Sequence, residues 1–163
     1  MDHLWSPWRY QYIKEGGSAG GCVFCDIGAS DQDEENLVVH RGEFNFVVLN
    51  RYPYTSGHAM VIPKEHLATL EAAPAAVAGE MMRLTQRLEK ELRGLYRAGG
   101  VNIGMNIGEA AGAGVAGHIH MHVLPRWVAD SNFITVVGET RVLPEALSET
   151  WSKLRDAFRG DGM

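Results

Sequence analysis

The chain has 163 residues, 45% of them hydrophobic and 21% charged, with a formal net charge of −5. This is one domain's worth of chain with enough apolar residues for a core, and its acidic balance argues against a broad nucleic-acid or membrane-surface partner. No run of about 18 apolar residues occurs, so no membrane span is expected. The opening Met1-Asp-His-Leu-Trp-Ser-Pro-Trp-Arg9 lacks the basic start and apolar stretch of a secretory signal, and a cytoplasmic location is the expectation.

Residues 1–21 read as an aromatic arm, with Trp5, Trp8, Tyr10 and Tyr12, followed by a flexible joint, Gly16-Gly-Ser-Ala-Gly-Gly21. Residues 22–163 read as a single domain. Cys22 and Cys25, the only cysteines, form Cys-Val-Phe-Cys, which a disulfide framework does not explain. In a reducing compartment such a pair is half of a tetrahedral zinc site or a redox couple. The acidic run Asp31–Glu35 reads as a solvated loop.

Short apolar runs at Leu37–Val39, Phe46–Leu49 and His58–Ile62 predict three strands of an antiparallel meander, with a turn between Arg51 and Gly57. From Pro74 to Ala98, Val77, Met81, Leu84, Leu88, Leu92 and Leu95 recur at three- and four-residue steps, the mark of one long helix with a single buried stripe. Pro74 suits its first turn and Gly99-Gly100 its end. Val101–Asn106, Ala116–Leu124 and a short Phe133–Val137 read as further strands. A final helix from Pro144 carries Leu147, Trp151, Leu154 and Phe158 on one face. The expected class is α+β, a mostly antiparallel sheet of about five strands with one long and one C-terminal helix.

The chemistry concentrates in Gly117-His-Ile-His-Met-His-Val-Leu-Pro-Arg-Trp127. Side chains alternate along a strand, so His118, His120 and His122 project from one face while Ile119, Met121 and Val123 point into a core. Such a row suits a metal site, a phosphate site or a histidine nucleophile. The preceding Gly108-Glu-Ala-Ala-Gly-Ala-Gly-Val-Ala-Gly117 is either a flexible hairpin loop or, feeding the histidine strand, a phosphate cradle of backbone N–H groups that includes Gly112 and Gly114. Lys64 and Arg126 are candidate phosphate contacts or solvated charges. Trp127 either packs or stacks on a base at the substrate mouth. His40 and His58 receive no role.

The pattern His-apolar-His-apolar-His-apolar-apolar resembles the histidine-triad (HIT) superfamily of nucleotide hydrolases and nucleotidyl transferases, over roughly residues 22–127. Asn50-Arg-Tyr-Pro-Tyr-Thr-Ser-Gly-His-Ala-Met-Val-Ile-Pro-Lys64 is also similar to a block of that family. Leu-Trp-Ser-Pro-Trp-Arg near the start and residues 125–135 resemble its diadenosine tetraphosphate phosphorylase branch.

The resemblance implies an enzyme that cleaves dinucleoside polyphosphates at the α-phosphate through a nucleotidyl-histidine intermediate, with phosphate or water as acceptor. His120 would be the nucleophile, and His122 and Asn106 would donate to phosphate oxygens. Asn50 would hold the ribose hydroxyls. His66 and His118 would join Cys22 and Cys25 in a closed structural zinc site. A homodimer is implied as well, and no organic cofactor. Many family members carry glutamine where this chain has Gly114, which changes what meets the leaving group. Two rival readings are a metal-dependent phosphoester or phosphoramide hydrolase that uses the triad as ligands, and a non-catalytic nucleotide-binding module.

Overall fold

Alternating apolar positions in five short segments build one antiparallel sheet, and the long amphipathic helix covers one of its faces. The computed structural model describes residues 21–130, Thr135 and residues 143–160. Within these, α1 (Val23–Ala29) precedes β1 (Val38–Arg41), β2 (Asn45–Leu49) and β3 (Ala59–Pro63). Then come α2 (Ala75–Tyr96), β4 (Gly100–Gly104), a short 3₁₀ turn (Glu109–Ala111), β5 (Met121–Arg126) and α3 (Leu147–Gly160). The strand order is β1-β2-β3-β5-β4, antiparallel throughout. The α+β class and the two principal helices are as expected. The aromatic arm, most of its joint and all but Thr135 of the expected Phe133–Val137 strand lie outside the described residues. No helix among the described residues is long and apolar enough to cross a membrane.

The two faces of the sheet bury different things. On one, Val47, Leu49, Val61, Ile119 and Val123 pack with Val77, Met81, Leu84, Leu88 and Leu92 of α2 and Leu154 and Phe158 of α3. On the other, among the described residues, Val38, Phe46, Val48, Met60 and Ile62 pack under Phe24 of α1, with Cys22, Ile27, Leu37 and Val115 at the margin. This second face is where the histidines lie.

Besides shifts of a few residues at strand and helix ends, several features differ from the sequence reading. α2 stops at Tyr96, because Arg97 adopts the left-handed conformation (φ 48°) before the glycine pair is reached. The helix α1, not anticipated from the sequence, is seven residues long with one buried side chain, too short to show a period. β5 starts at Met121, so His118 and His120 sit in the segment leading into it, His118 in a bend, and only His122 belongs to the ladder. Finally, Asp33 of the acidic run is not simply solvated: its carboxylate pairs with Arg41 at 2.8 Å and Arg155 at 3.2 Å.

Two devices set the frame of the site. Glu80 of α2 accepts hydrogen bonds from the backbone N–H groups of Glu43, Phe44 and Asn45 and from the Asn45 amide, at 2.7–2.8 Å, fastening the β1–β2 turn. Burial favours its protonated form, but these four donors outweigh that and hold the carboxyl below its ordinary value. Gly57 has φ +80°, and a Cβ there would meet Leu92 at 3.0 Å and Pro125 at 3.1 Å, so the turn into β3 requires glycine.

Candidate active site and metal-binding cluster

The register of β3 and β5 assembles the site. Met60 faces His122 across the ladder, and the two-residue period of β3 puts His58 on the same face, just ahead of the strand. The imidazoles then form a row. His66 and His118 lie with centroids 5.0 Å apart, His120 and His122 4.8 Å, and His122 and His58 5.1 Å. Phe24 stands against both His118 (5.6 Å) and His120 (5.0 Å).

Each ring in the row is oriented by a hydrogen bond whose direction follows from its partner. His118 donates Nε2–H to the Pro63 carbonyl at 2.9 Å, leaving its Nδ1 lone pair 3.3 Å from Cys22 Sγ and 3.6 Å from Cys25 Sγ. His120 donates Nδ1–H to the His118 carbonyl at 2.9 Å, so in the neutral ring Nε2 carries the lone pair. His58 accepts the Tyr54 N–H at Nδ1 (3.2 Å), so its proton is on Nε2. It therefore donates to His122 Nδ1 at 2.9 Å, which places the His122 proton on Nε2. Neighbouring imidazoles thus carry opposite polarity: His120 offers an acceptor nitrogen and His122 a donor.

Burial sets the charge of these groups. It holds His118 and His120 below the ordinary histidine value, against the carbonyl hydrogen bonds that favour a proton. His58, 1% exposed, is pushed down to about 3 by burial and then by its neighbours His122 and His120. At neutral pH His118, His120 and His58 are therefore neutral and act through directional hydrogen bonds.

His120 and His122 open into a cleft that Asn50, Asn106, Gly112 and Gly114 also line, so four separate segments of the chain converge there. Its volume is about 500 Å³ including the open mouth. Phe24, Tyr52, Tyr54, Met60 and Val115 complete the walls. Asn50 accepts the Tyr52 N–H at 2.9 Å, so its side-chain carbonyl oxygen caps a turn at the cleft wall. The glycine loop is more structured than a bare cradle: the N–H groups of Ala111, Gly112 and Ala113 bond back to Gly108 and Glu109. Those three donors are spent within the loop.

Other expected contacts lie elsewhere. Trp127 donates its indole N–H to the Tyr96 carbonyl at 3.0 Å and packs at the end of α2, away from the cleft lining. Arg126 pairs with Asp130 and Asn102, and Lys64 binds the carbonyls of Gly42 and Glu43. His58, Tyr52, Tyr54 and Phe24 are the site residues that sequence reasoning missed. The available signal for His58 was parity: it stands two positions before Met60, on the face a β3–β5 pairing presents to the triad.

Cys22, Cys25, His66 and His118 form a second centre, with one ligand atom from each lying within 4.8 Å of the others. Cys25 Sγ is 3.3 Å from His66 Nδ1. Two thiols and two imidazoles at this separation can hold a metal ion. The Pro63 carbonyl on the far nitrogen of His118 is the outer contact that fixes a ligating tautomer. Without a cation the Cys25 thiol is pushed up by burial, then by Cys22 and Asp26. The short helix α1 brings both cysteines here, and Arg41 holds its other end through the carbonyls of Ile27, Gly28 and Ser30.

Residues 31–128 match the HIT domain family model. The chain belongs to the HIT domain family. This HIT domain is 37% identical over 158 residues to AP-4-A phosphorylase of Mycobacterium tuberculosis, an alignment covering 92% of this chain and 80% of the relative. Among solved structures it is similar to a Zn-bound histidine triad family protein from Mycobacterium smegmatis (33% identity, TM-score 0.71, covering 86% of this chain and 94% of the other). A histidine triad nucleotide-binding protein from Sulfolobus tokodaii is also similar (27% identity, TM-score 0.68, covering 85% and 93%).

Proposed function

We propose that this HIT domain is a nucleotidyl-transferring enzyme that cleaves dinucleoside polyphosphates such as diadenosine tetraphosphate, with His120 as the nucleophile. The observation that carries this reading is the His120 hydrogen bond to the His118 carbonyl, which leaves Nε2 as a neutral, lone-pair nitrogen at the cleft. In the first half-reaction Nε2 attacks the α-phosphorus, a P–N bond forms, and the bond to the bridging oxygen breaks with release of ATP from diadenosine tetraphosphate. In the second, inorganic phosphate attacks the same phosphorus, the P–N bond breaks, and ADP leaves. Water as acceptor releases AMP instead. His122 Nε2–H and the Asn106 amide stabilise the charge that builds on the non-bridging oxygens. The similarity to an AP-4-A phosphorylase favours phosphate as acceptor.

The geometry favours this over a triad-bound catalytic metal. His118 turns toward the cysteines, His120 toward a carbonyl and His122 toward His58, so the three rings do not converge on one ion. We infer instead that Cys22, Cys25, His66 and His118 hold a structural zinc ion, whose charge would keep both thiolates deprotonated and cross-link α1 to the triad segment. We further infer a homodimer, because β4 pairs only with β5 among the described residues and leaves Ile103 exposed at the sheet edge. Sedimentation as a monomer at micromolar concentration would refute it.

The test is turnover of diadenosine tetraphosphate with and without inorganic phosphate, in the parent protein and in His120→Ala. Phosphate-dependent ADP and ATP identify a phosphorylase, and AMP regardless of phosphate a hydrolase. His120→Ala is expected to lower turnover at least a thousandfold and to abolish acid-labile labelling by an α-³²P substrate. Undiminished labelling in His120→Ala would falsify the assignment.

A further inference from the structure

The short helix α1 takes part in two sites at once. Cys22 at its N-cap and Cys25 in its first turn belong to the cysteine–histidine cluster, and Phe24 between them lines the cleft. Phe24 is 5% exposed and sits in the apolar layer of the sheet with Phe46 and Met60. Its ring meets His118, a member of the cluster, edge-on, with planes at 88° and centroids 5.6 Å apart. It meets His120 at a tilt of 59° and 5.0 Å. One side chain therefore touches the cluster, the nucleophile and the cleft.

The two ends of α1 are fastened differently. At the far end Arg41 binds the carbonyls of Ile27, Gly28 and Ser30. At the near end the Cys22 side chain makes no capping hydrogen bond. Beyond the backbone turn and the burial of Phe24, this end is tied by the contacts of Cys22 with His118 and of Cys25 with His66 and His118, at 3.3–3.6 Å. A cation held by these four groups turns those contacts into a cross-link and fixes the turn that carries Phe24. Phe24 is adjacent to Cys25 in that turn, so a displacement of the cysteines displaces the ring.

We propose that Phe24 is a positioning residue that links the two sites: an ion in the cluster seats its ring against His120, and nucleotide binding in the cleft is strengthened as a result. This rests on the zinc and nucleotidyl-transfer readings above. By linkage the effect is reciprocal, so a nucleotide in the cleft tightens the hold on the ion by the same factor. The sites are also joined by the His118 main-chain carbonyl, which accepts from His120 Nδ1–H. Substitution at position 24 leaves that carbonyl in the chain, so variants there isolate the aromatic route.

The experiment measures the dissociation constant of AMP by titration calorimetry, in zinc-loaded and chelator-stripped protein, for the parent, Phe24→Ala and Phe24→Leu. AMP is the nucleotidyl half of the substrate and does not turn over. Stripping is expected to weaken AMP binding about tenfold in the parent, a factor usual for coupled sites. Saturating AMP is expected to strengthen zinc binding by the same factor, read by competition with a chelating dye. Phe24→Ala should bind AMP equally with and without zinc. Phe24→Leu, which keeps an apolar contact without the ring, should show a factor in between, and it decides the matter where Phe24→Ala does not fold. Parent protein whose AMP affinity ignores zinc overturns the linkage. So does stripped parent that has lost its fold by circular dichroism, since zinc then acts on the whole chain. A zinc dependence undiminished in the variants that fold overturns the role of Phe24 and assigns the coupling to the His118 carbonyl. Parent protein that binds no zinc removes the cluster reading, and parent protein that binds no AMP removes the nucleotide reading, each taking this inference with it.

Discussion

The two faces of the sheet show how one scaffold serves two ends. The face under α2 and α3 is a continuous apolar layer in which Leu88, Leu92 and Leu154 are wholly buried. Among the described residues the opposite face has a seven-residue helix over it, and it concentrates the polar chemistry: His118, His58 and His120 buried, and both cysteines half-buried. The first face derives its stability from area. The second has little area to bury, so hydrogen bonds, the cysteine–histidine cluster and Arg41 hold α1 in place. Stability and activity are thus expected to be separable by face.

The largest effect is expected at the cluster. In buffer with zinc about a thousandfold above its dissociation constant, Cys22→Ser with Cys25→Ser should lower unfolding stability by about 4 kcal/mol, the linkage contribution of a ligand bound only by the folded state. Denaturant titration with and without chelator measures it; parent protein indifferent to the chelator sinks the zinc inference. On the helix face, Leu88→Ala should cost about 3 kcal/mol while the remaining folded molecules keep their KM. A KM shift of about tenfold in Leu88→Ala would show that the faces are coupled.

Taken per pH unit, the smallest effect is in titration. His58 is neutral in the folded protein down to about pH 3, whereas the unfolded chain takes up its proton near 6.5. Its contribution is therefore complete above 6.5 and is lost as pH falls toward 3, at no more than about 1.4 kcal/mol per pH unit. The slope of unfolding free energy against pH in that window should shrink in His58→Gln. An unchanged slope means that this imidazole is charged in the fold.

What the sequence disclosed follows the range of the interactions involved. Val77 to Leu92 announce α2 because a helix face is written in neighbours three and four apart, and Trp151, Leu154 and Phe158 do the same for α3. The alternation from His118 to Val123 correctly separates the histidines from Ile119 and Val123, which enter the core. It overstates β5, because alternation reports side-chain direction and not pairing. α1 escaped notice because its reasons are distant: Arg41 at one end, His66 and His118 at the other. His58 was passed over because register between strands is a tertiary fact. The entry of Tyr52 and Tyr54 into the cleft wall and the placement of Trp127 depend on where a loop and a helix end come to rest, which local pattern does not encode.

The opposite polarity of His120 and His122 has one more consequence. It is imposed by main-chain atoms, the His118 carbonyl and the Tyr54 N–H, the latter acting through His58. Side-chain substitution at 118 leaves that carbonyl in the chain, and at 54 only proline deletes the donor. The orientation of His120 is thereby sheltered from ordinary point mutation, whereas that of His122 is exposed to it at one position, the His58 side chain.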